Sequence, residues 1–115
     1  MEFNNLIFPA PTPSYDENSF PNELLWIPRV IGKGENIPVL YLPYFRGSSK
    51  LLLYFHGNAE DLGLSYELAD HLRTSLEMHV MSVEYPGYGA YVGTPSADAL
   101  INDIENLFSY ITTNL

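Results

Sequence analysis

Short apolar runs separated by polar turns divide the chain, and the run in its middle predicts a central strand. Leu51–Phe55 is continuously apolar, ends at His56-Gly57-Asn58 and passes into a helical pattern. A run of this kind, closed by a turn, is typical of a strand buried on both faces of a sheet. Small residues at the break let the backbone turn sharply and present N–H groups near a helix N-terminus, where negative charge is favoured.

The segment after this break predicts a βαβ unit. Asp61 stands where a helix N-cap is expected, and apolar residues then recur at helical spacing: Leu64, Leu68, Ala69, Leu72 and Leu76. Met78–Tyr85 then predicts a second buried strand. Strand, helix and strand within about 35 residues indicate two parallel strands joined by a right-handed crossover.

A second amphipathic helix is predicted at the end of the chain. Thr94 is its expected N-cap, and Pro95 lies in its first turn. Its expected apolar stripe consists of Ala97, Leu100, Ile101, Ile104, Leu107, Phe108 and Ile111. Asn102, Asp103, Glu105 and Asn106 lie off that stripe.

The first part of the chain predicts an extended arm and a hairpin. Residues 1–22 are rich in Pro and Asn, which favours an arm laid over the domain; a polyproline-type ligand for a partner is the alternative. Residues 23–115 are then a partial α/β domain. Leu24–Ile27 and Val39–Leu42 predict an antiparallel pair around the turn Gly32–Asn36. Prolines at the strand ends favour an edge position: Pro28, Pro38 and Pro43.

Composition excludes several classes of function. The 115 residues carry a formal net charge of -9 with only five Lys and Arg residues, which argues against nucleic acid and anionic membrane surfaces. There is no cysteine, so disulfides, thiol catalysis and S-acylation of these residues are excluded. No signal peptide or membrane-spanning run is evident. The cytoplasm is the expected location, and no lipidation or transmembrane signal supports peripheral membrane association.

Three motifs in order resemble the amino-terminal half of an α/β-hydrolase. They are His56–Gly63, Glu84–Gly89 and Gly93–Ser96. They are most similar to the branch that contains the protein depalmitoylases, serine hydrolases that act on S-acylated proteins. The arm Phe8–Tyr15 is also similar to the lead-in of that branch. The resemblance implies esterase or thioesterase chemistry on acyl substrates and no cofactor.

The resemblance also implies roles for individual residues. The backbone N–H of Asn58 or Ala59 would face the oxyanion, and such a donor stabilises an acyl-transfer transition state. His56 and Gly57 would shape the turn, with His56 structural and not the catalytic base. The loop after the second buried strand would wall the site through Tyr85, Gly87, Tyr88 and Gly89. The alternative for each of these residues is a tight turn needed for packing alone.

The 115 residues lack the nucleophile that this class requires. A Gly-x-Ser-x-Gly elbow, an acidic residue and a histidine should follow in that order, and no such elbow occurs. Ser65 falls in a predicted helix and Ser82 in a predicted strand, so neither replaces it. We therefore expect a domain truncated before its nucleophile strand, with no catalytic residue and no activity alone. An acyl ester or thioester would be its substrate only if the missing half were supplied.

Two other interpretations remain open. The chain could be a non-enzymatic protein that binds a partner, or itself, through an open sheet edge or the Pro-rich arm. A second polypeptide could instead supply the missing serine, acid and histidine. A metal site at His56, Glu60 and Asp61 is not predicted, because one histidine beside two adjacent carboxylates is not a recognised ligand pattern.

Overall fold

The computed structural model of the chain describes residues 9–29, 35–57 and 59–114. Its elements, in chain order, are β1 (Leu24–Ile27), β2 (Ile37–Leu42), β3 (Leu51–Phe55), α1 (Leu62–Leu76), β4 (His79–Val83) and α2 (Ala97–Asn114). Neither described helix is both long enough and apolar enough to cross a membrane.

The strands form one mixed sheet in the order β1-β2-β4-β3. β1 pairs antiparallel with β2, and β2 pairs antiparallel with β4. β3 pairs parallel with β4, with Leu51 opposite His79 and Phe55 opposite Val83. The predicted α/β class, the antiparallel pair and the parallel βαβ strands are therefore confirmed. Most of the predicted Gly32–Asn36 turn lies outside the described residues.

Pro38 does not mark an edge, because β2 begins at Ile37 and lies between β1 and β4. Pro38 pairs with Trp26 of β1 and lies just past the end of the β4 ladder, whose last pair is Val39 with Val83. The Pro38 carbonyl still accepts a hydrogen bond from the Glu84 N–H at 3.2 Å. The missing N–H thus falls at the end of a ladder, where its loss disturbs no following pair.

β3 is an edge strand of the described sheet and is not buried on both faces. Its first four residues are half-buried and Phe55 is 39% exposed. The apolar run predicted full burial, but among the described residues only β4 pairs with this strand. One side of its backbone is therefore unpaired, as at any sheet edge.

The two helices cover opposite faces of the sheet. Alternate residues of a strand point to opposite faces. On one face, Leu40, Leu42 and Val80 pack with Leu62 and Ala69 of α1. On the other face, Leu107 of α2 packs with residues of three strands and of the loop after β4: Ile27, Ile37, Val39, Met81, Val83 and Tyr91.

α1 begins as predicted but presents a different face to the sheet. The Asp61 side chain caps the helix by accepting the Leu64 N–H at 2.9 Å. The inward positions are Leu62, Ser65, Tyr66, Ala69 and Leu72. Leu64, Leu68 and Leu76, which were expected in the apolar stripe, are each about half exposed at 53%, 49% and 49%.

α2 also differs from its predicted start and orientation. The helix begins at Ala97, and the Ser96 hydroxyl accepts the Ala99 N–H at 3.1 Å, so the capping residue is Ser96 and not Thr94. Asp103 and Asn106, which lie off the predicted stripe, are buried. Ile101 and Phe108, predicted within it, are 54% and 56% exposed.

Asp103 is buried because it pairs with Arg29 and Tyr91. Its carboxylate lies 2.6 Å from Arg29 Nη2 and accepts the Tyr91 hydroxyl at 2.7 Å. Arg29 Nη2 also donates to the Tyr91 hydroxyl oxygen at 2.6 Å. This group joins the end of β1, the loop after β4 and α2, and it fixes the face that α2 turns toward the sheet.

Asp103→Ala should lower the free energy of unfolding by about 3–5 kcal/mol, because it leaves the nearly buried Arg29 guanidinium without its carboxylate. Glu105→Ala is the matched control on the same helix, since Glu105 is exposed; it should change stability by no more than about 0.5 kcal/mol. Urea unfolding followed by circular dichroism measures both. An Asp103→Ala cost no larger than that of Glu105→Ala would contradict the structural role of the pair.

Candidate functional site

The candidate site lies where the carboxyl ends of the parallel strands β3 and β4 meet. The turn after β3 contains His56, Gly57 and Ala59, and the loop after β4 contains Tyr85–Gly89. The Tyr85 hydroxyl donates a hydrogen bond to the His56 carbonyl, and the two rings lie 4.0 Å apart between centroids. The structure therefore brings together the described residues that the sequence singled out, and Asn58 lies outside the described residues.

The turn after β3 closes on itself through Glu60. The Gly57 N–H donates to Glu60 Oε1 at 2.8 Å, and the Glu60 N–H donates to the Gly57 carbonyl at 3.2 Å. Ala59 is exposed and has a left-handed backbone, with φ 63. Nothing among the described residues accepts its N–H. A non-glycine residue in this region costs about 1–2 kcal/mol, and such residues cluster at functional sites.

Close packing shapes the loop after β4. Gly87 has φ +84, and a Cβ there would lie 2.6 Å from Pro95 Cδ. The Tyr88 ring is fully buried and packs 5.5 Å from the His56 ring and 5.2 Å from the Tyr85 ring. The loop thus holds the turn from one side, and a role as the wall of a substrate site stays a prediction.

Glu84, the residue after β4, is the buried charge at the centre of the site. Its side chain is fully buried. One carboxylate oxygen accepts the Tyr85 N–H at 3.0 Å and lies 2.7 Å from His56 Nε2. The other accepts the Leu62 N–H at 3.0 Å and the Tyr15 hydroxyl at 2.5 Å. Four donors around one carboxylate offset the cost of removing it from water.

His56 is placed to carry a positive charge. Its Nε2 faces the Glu84 carboxylate, and its Nδ1 lies 3.1 Å from the Gly57 carbonyl. Because both partners are acceptors, only the doubly protonated imidazolium donates to each of them. Burial opposes the charged form, but the hydrogen bonds to Glu84 and Gly57 and the charges of Glu84 and Asp61 outweigh it and raise the pKa of His56.

Two residues of the arm also reach the site. The Ser14 N–H and hydroxyl donate to the Asp61 carboxylate at 2.8 and 2.5 Å. Tyr15 is buried, and burial together with the adjacent Glu84 raises the pKa of its hydroxyl, so that it remains a donor. Sequence reasoning missed Tyr15 and Glu84 as site residues. The available signal was a carboxylate placed directly after a buried apolar strand.

Comparison with curated proteins finds alpha/beta hydrolase domain-containing proteins among the relatives. The chain is 33% identical over 81 residues to alpha/beta hydrolase domain-containing protein 17C of Xenopus laevis, a stretch that is 70% of this chain and 26% of that protein. It is 34% identical over 73 residues to the human protein 17B, covering 64% and 25%. It is 36% identical over 64 residues to protein bem46 of Schizosaccharomyces pombe, covering 56% and 21%. No family model and no solved structure matches the chain.

The alpha/beta hydrolase relatives support the α/β-hydrolase superfamily for this chain. The matched stretches span about a quarter of the length of the first two relatives, 26% and 25%. The four-stranded sheet with a helix on each face is compatible with part of an α/β fold.

Neither of two cavities in the described part of the chain is lined by residues of the turn after β3. One of about 380 Å³ is lined by Leu51 and His79, at the opposite ends of β3 and β4. Another, of about 440 Å³, lies beside the arm and is lined by Tyr15, Trp26 and Gly89, among others. Throughout the described ranges, no group of three His, Asp or Glu side chains is arranged to hold a metal ion.

The stability of the fold should depend on pH through His56. A raised folded-state pKa stabilises the fold fully below the unfolded value of 6.5, and this contribution is lost as pH rises through the folded pKa. The difference in free energy of unfolding between the wild type and His56→Gln should therefore be largest in mildly acidic solution and shrink with rising pH. Denaturant titrations across this range measure it. His71→Gln, on the exposed face of α1, is the matched substitution of another imidazole. If the difference in free energy of unfolding between the wild type and His56→Gln grows as pH rises, the folded-state pKa of His56 is not raised.

Proposed function

We propose that this chain forms the amino-terminal part of a serine hydrolase and that the turn after β3 supplies part of the oxyanion hole through Ala59. The observation that carries the proposal is the backbone of Ala59. This residue is exposed, its N–H has no acceptor among the described residues, and its left-handed backbone follows the carboxyl end of a parallel strand. α/β proteins place their sites at this end of the sheet.

A fixed N–H in this position suits acyl transfer. In the transition state the carbonyl oxygen of the substrate becomes negatively charged, and a donor held in advance stabilises it without reorganising. The hydrogen bonds between Gly57 and Glu60 hold the turn before substrate arrives. The nucleophile, acid and base of the reaction would be supplied from outside these 115 residues.

Acyl esters or thioesters are the proposed substrates. The support is the resemblance of the His56–Gly63 and Glu84–Gly89 motifs to the depalmitoylase branch, together with hydrolase relatives that contain the same part of the domain. Removal of an S-acyl group from a protein is the specific activity that this branch suggests. It requires a thioester carbonyl to reach the Ala59 N–H from the open side of the turn.

A chimera tests this proposal. The 73-residue stretch of the human protein 17B that matches this chain is replaced by the corresponding residues of this chain, and the parent serves as the positive control. A fluorophosphonate probe should label the chimera on one serine and leave the 115-residue chain unlabelled. A folded chimera that is not labelled, beside a labelled parent, would contradict the proposal.

The same chimera tests the Ala59 donor. Replacing Ala59 by its α-hydroxy analogue, lactic acid, exchanges the N–H for an ester oxygen and should lower kcat by about 10²–10³-fold. The matched control is the same backbone change at Ser49, an exposed residue of the loop before β3 that lies outside the turn. A loss at position 59 no greater than at position 49 would remove Ala59 from the oxyanion hole.

A non-enzymatic binding function is the alternative, and the exposed surface around β3 favours it. β3 is an edge of the described sheet, and its last residue, Phe55, is exposed. Three leucines of α1 are exposed as well: Leu64, Leu68 and Leu76. A partner strand could pair with such an edge. An unlabelled but folded chimera would favour this alternative.

A further inference from the structure

Two glycines of the site motifs lie where the arm crosses them. A Cβ on Gly63 would lie 2.2 Å from Ser14 Oγ, and a Cβ on Gly89 would lie 2.4 Å from Tyr15 Cε1 and 2.6 Å from Glu84 Oε2. All three distances are shorter than a Cβ atom normally makes with a neighbouring atom, so both positions favour glycine while the arm is in place. The motifs are therefore shaped to receive Ser14 and Tyr15.

The arm forms hydrogen bonds with residues near both glycines, Asp61 near Gly63 and Glu84 near Gly89. Ser14 donates twice to Asp61, which also caps α1 through the Leu64 N–H. Tyr15 donates to Glu84 and packs with Leu40 and Leu62 in the core. Tyr15, which the sequence assigns to an arm laid over the domain, thus lies in its core, whereas Ser14 is exposed.

A continuous series of hydrogen bonds leads from Tyr15 to the turn. Tyr15 donates to Glu84, and Glu84 accepts from His56 Nε2. His56 Nδ1 in turn donates to the Gly57 carbonyl, which also accepts the Glu60 N–H. These two hydrogen bonds fix the direction of the Gly57 carbonyl at the start of the turn.

We propose that Tyr15 and Glu84 are positioning residues for the Gly57 carbonyl in the turn after β3, and that the Ser14-Tyr15 segment is a clamp on this turn. Tyr15 acts through Glu84 and His56 and touches no substrate. The proposal rests on the proposed hydrolase function and deepens it, because it names what holds the Gly57 end of the turn that contains Ala59. The contacts of the clamp do not depend on that function, and its test uses no activity measurement.

The test compares Tyr15→Phe with Tyr66→Phe in the 115-residue chain. Tyr66 is the matched control because its hydroxyl also donates to a carboxylate, that of Glu23 at 2.8 and 3.0 Å, and has no bond to Glu84. Nuclear magnetic resonance measures the solvent exchange of the His56 Nε2–H and the Glu60 N–H. Loss of one hydrogen bond should speed both by about tenfold in Tyr15→Phe and leave them unchanged in Tyr66→Phe.

3-Fluorotyrosine at position 15 keeps the hydroxyl donor and should restore the wild-type exchange rates. Equal rates in Tyr15→Phe and Tyr66→Phe would overturn the clamp, even if both variants lose stability. If Tyr15→Phe does not fold, the exchange of the same two protons is measured in Ser14→Ala. Faster exchange then supports the clamp, and unchanged exchange overturns it. The two proposals can fail separately. Faster exchange in Tyr15→Phe together with an unlabelled chimera would support the clamp and contradict the hydrolase proposal.

Discussion

The buried carboxylate of Glu84 is the constraint on which the rest of this structure depends. A fully buried charge without partners is costly, so the fold must bring donors to it. Those donors come from four segments: Tyr15 of the arm, His56 of the turn, Leu62 at the start of α1 and the Tyr85 N–H of its own loop. One side chain therefore fixes the relative positions of the arm, both site loops and a helix.

The sequence predicted the strands and two of their pairings, β1 with β2 and β3 with β4, because these depend on local patterns, but it did not predict that β2 pairs with β4. Apolar runs and turn residues place β1, β3 and β4, and a βαβ connection makes β3 and β4 parallel. The helix faces were not predictable in this way. α2 turns Asp103 inward because Arg29 and Tyr91, distant in sequence, pair with it, and α1 turns Leu62 inward because Glu84 and Asp61 hold its first turn.

In the candidate site, too, the features set by local sequence were predictable and those set by distant contacts were not. Its motifs were recognisable from glycine spacing and turn residues, since these are local requirements of the backbone. The connection among Tyr15, Glu84 and His56 was not, because it joins residues 69 and 28 positions apart. A Pro-rich arm suggested an accessory segment, yet Tyr15 is as much a part of the site as the turn itself. The site is best regarded as four segments around one carboxylate: the arm, the turn after β3, the start of α1 and the loop after β4.

Amide hydrogen exchange at Leu62 and Tyr85 tests this account most directly. Both N–H groups donate to Glu84 and neither belongs to a strand ladder. If Glu84 organises the site, both amides in the 115-residue chain exchange nearly as slowly as Met81 in the middle of β4. Exchange of Leu62 and Tyr85 at the rate of an open chain, while Met81 remains protected, would contradict it.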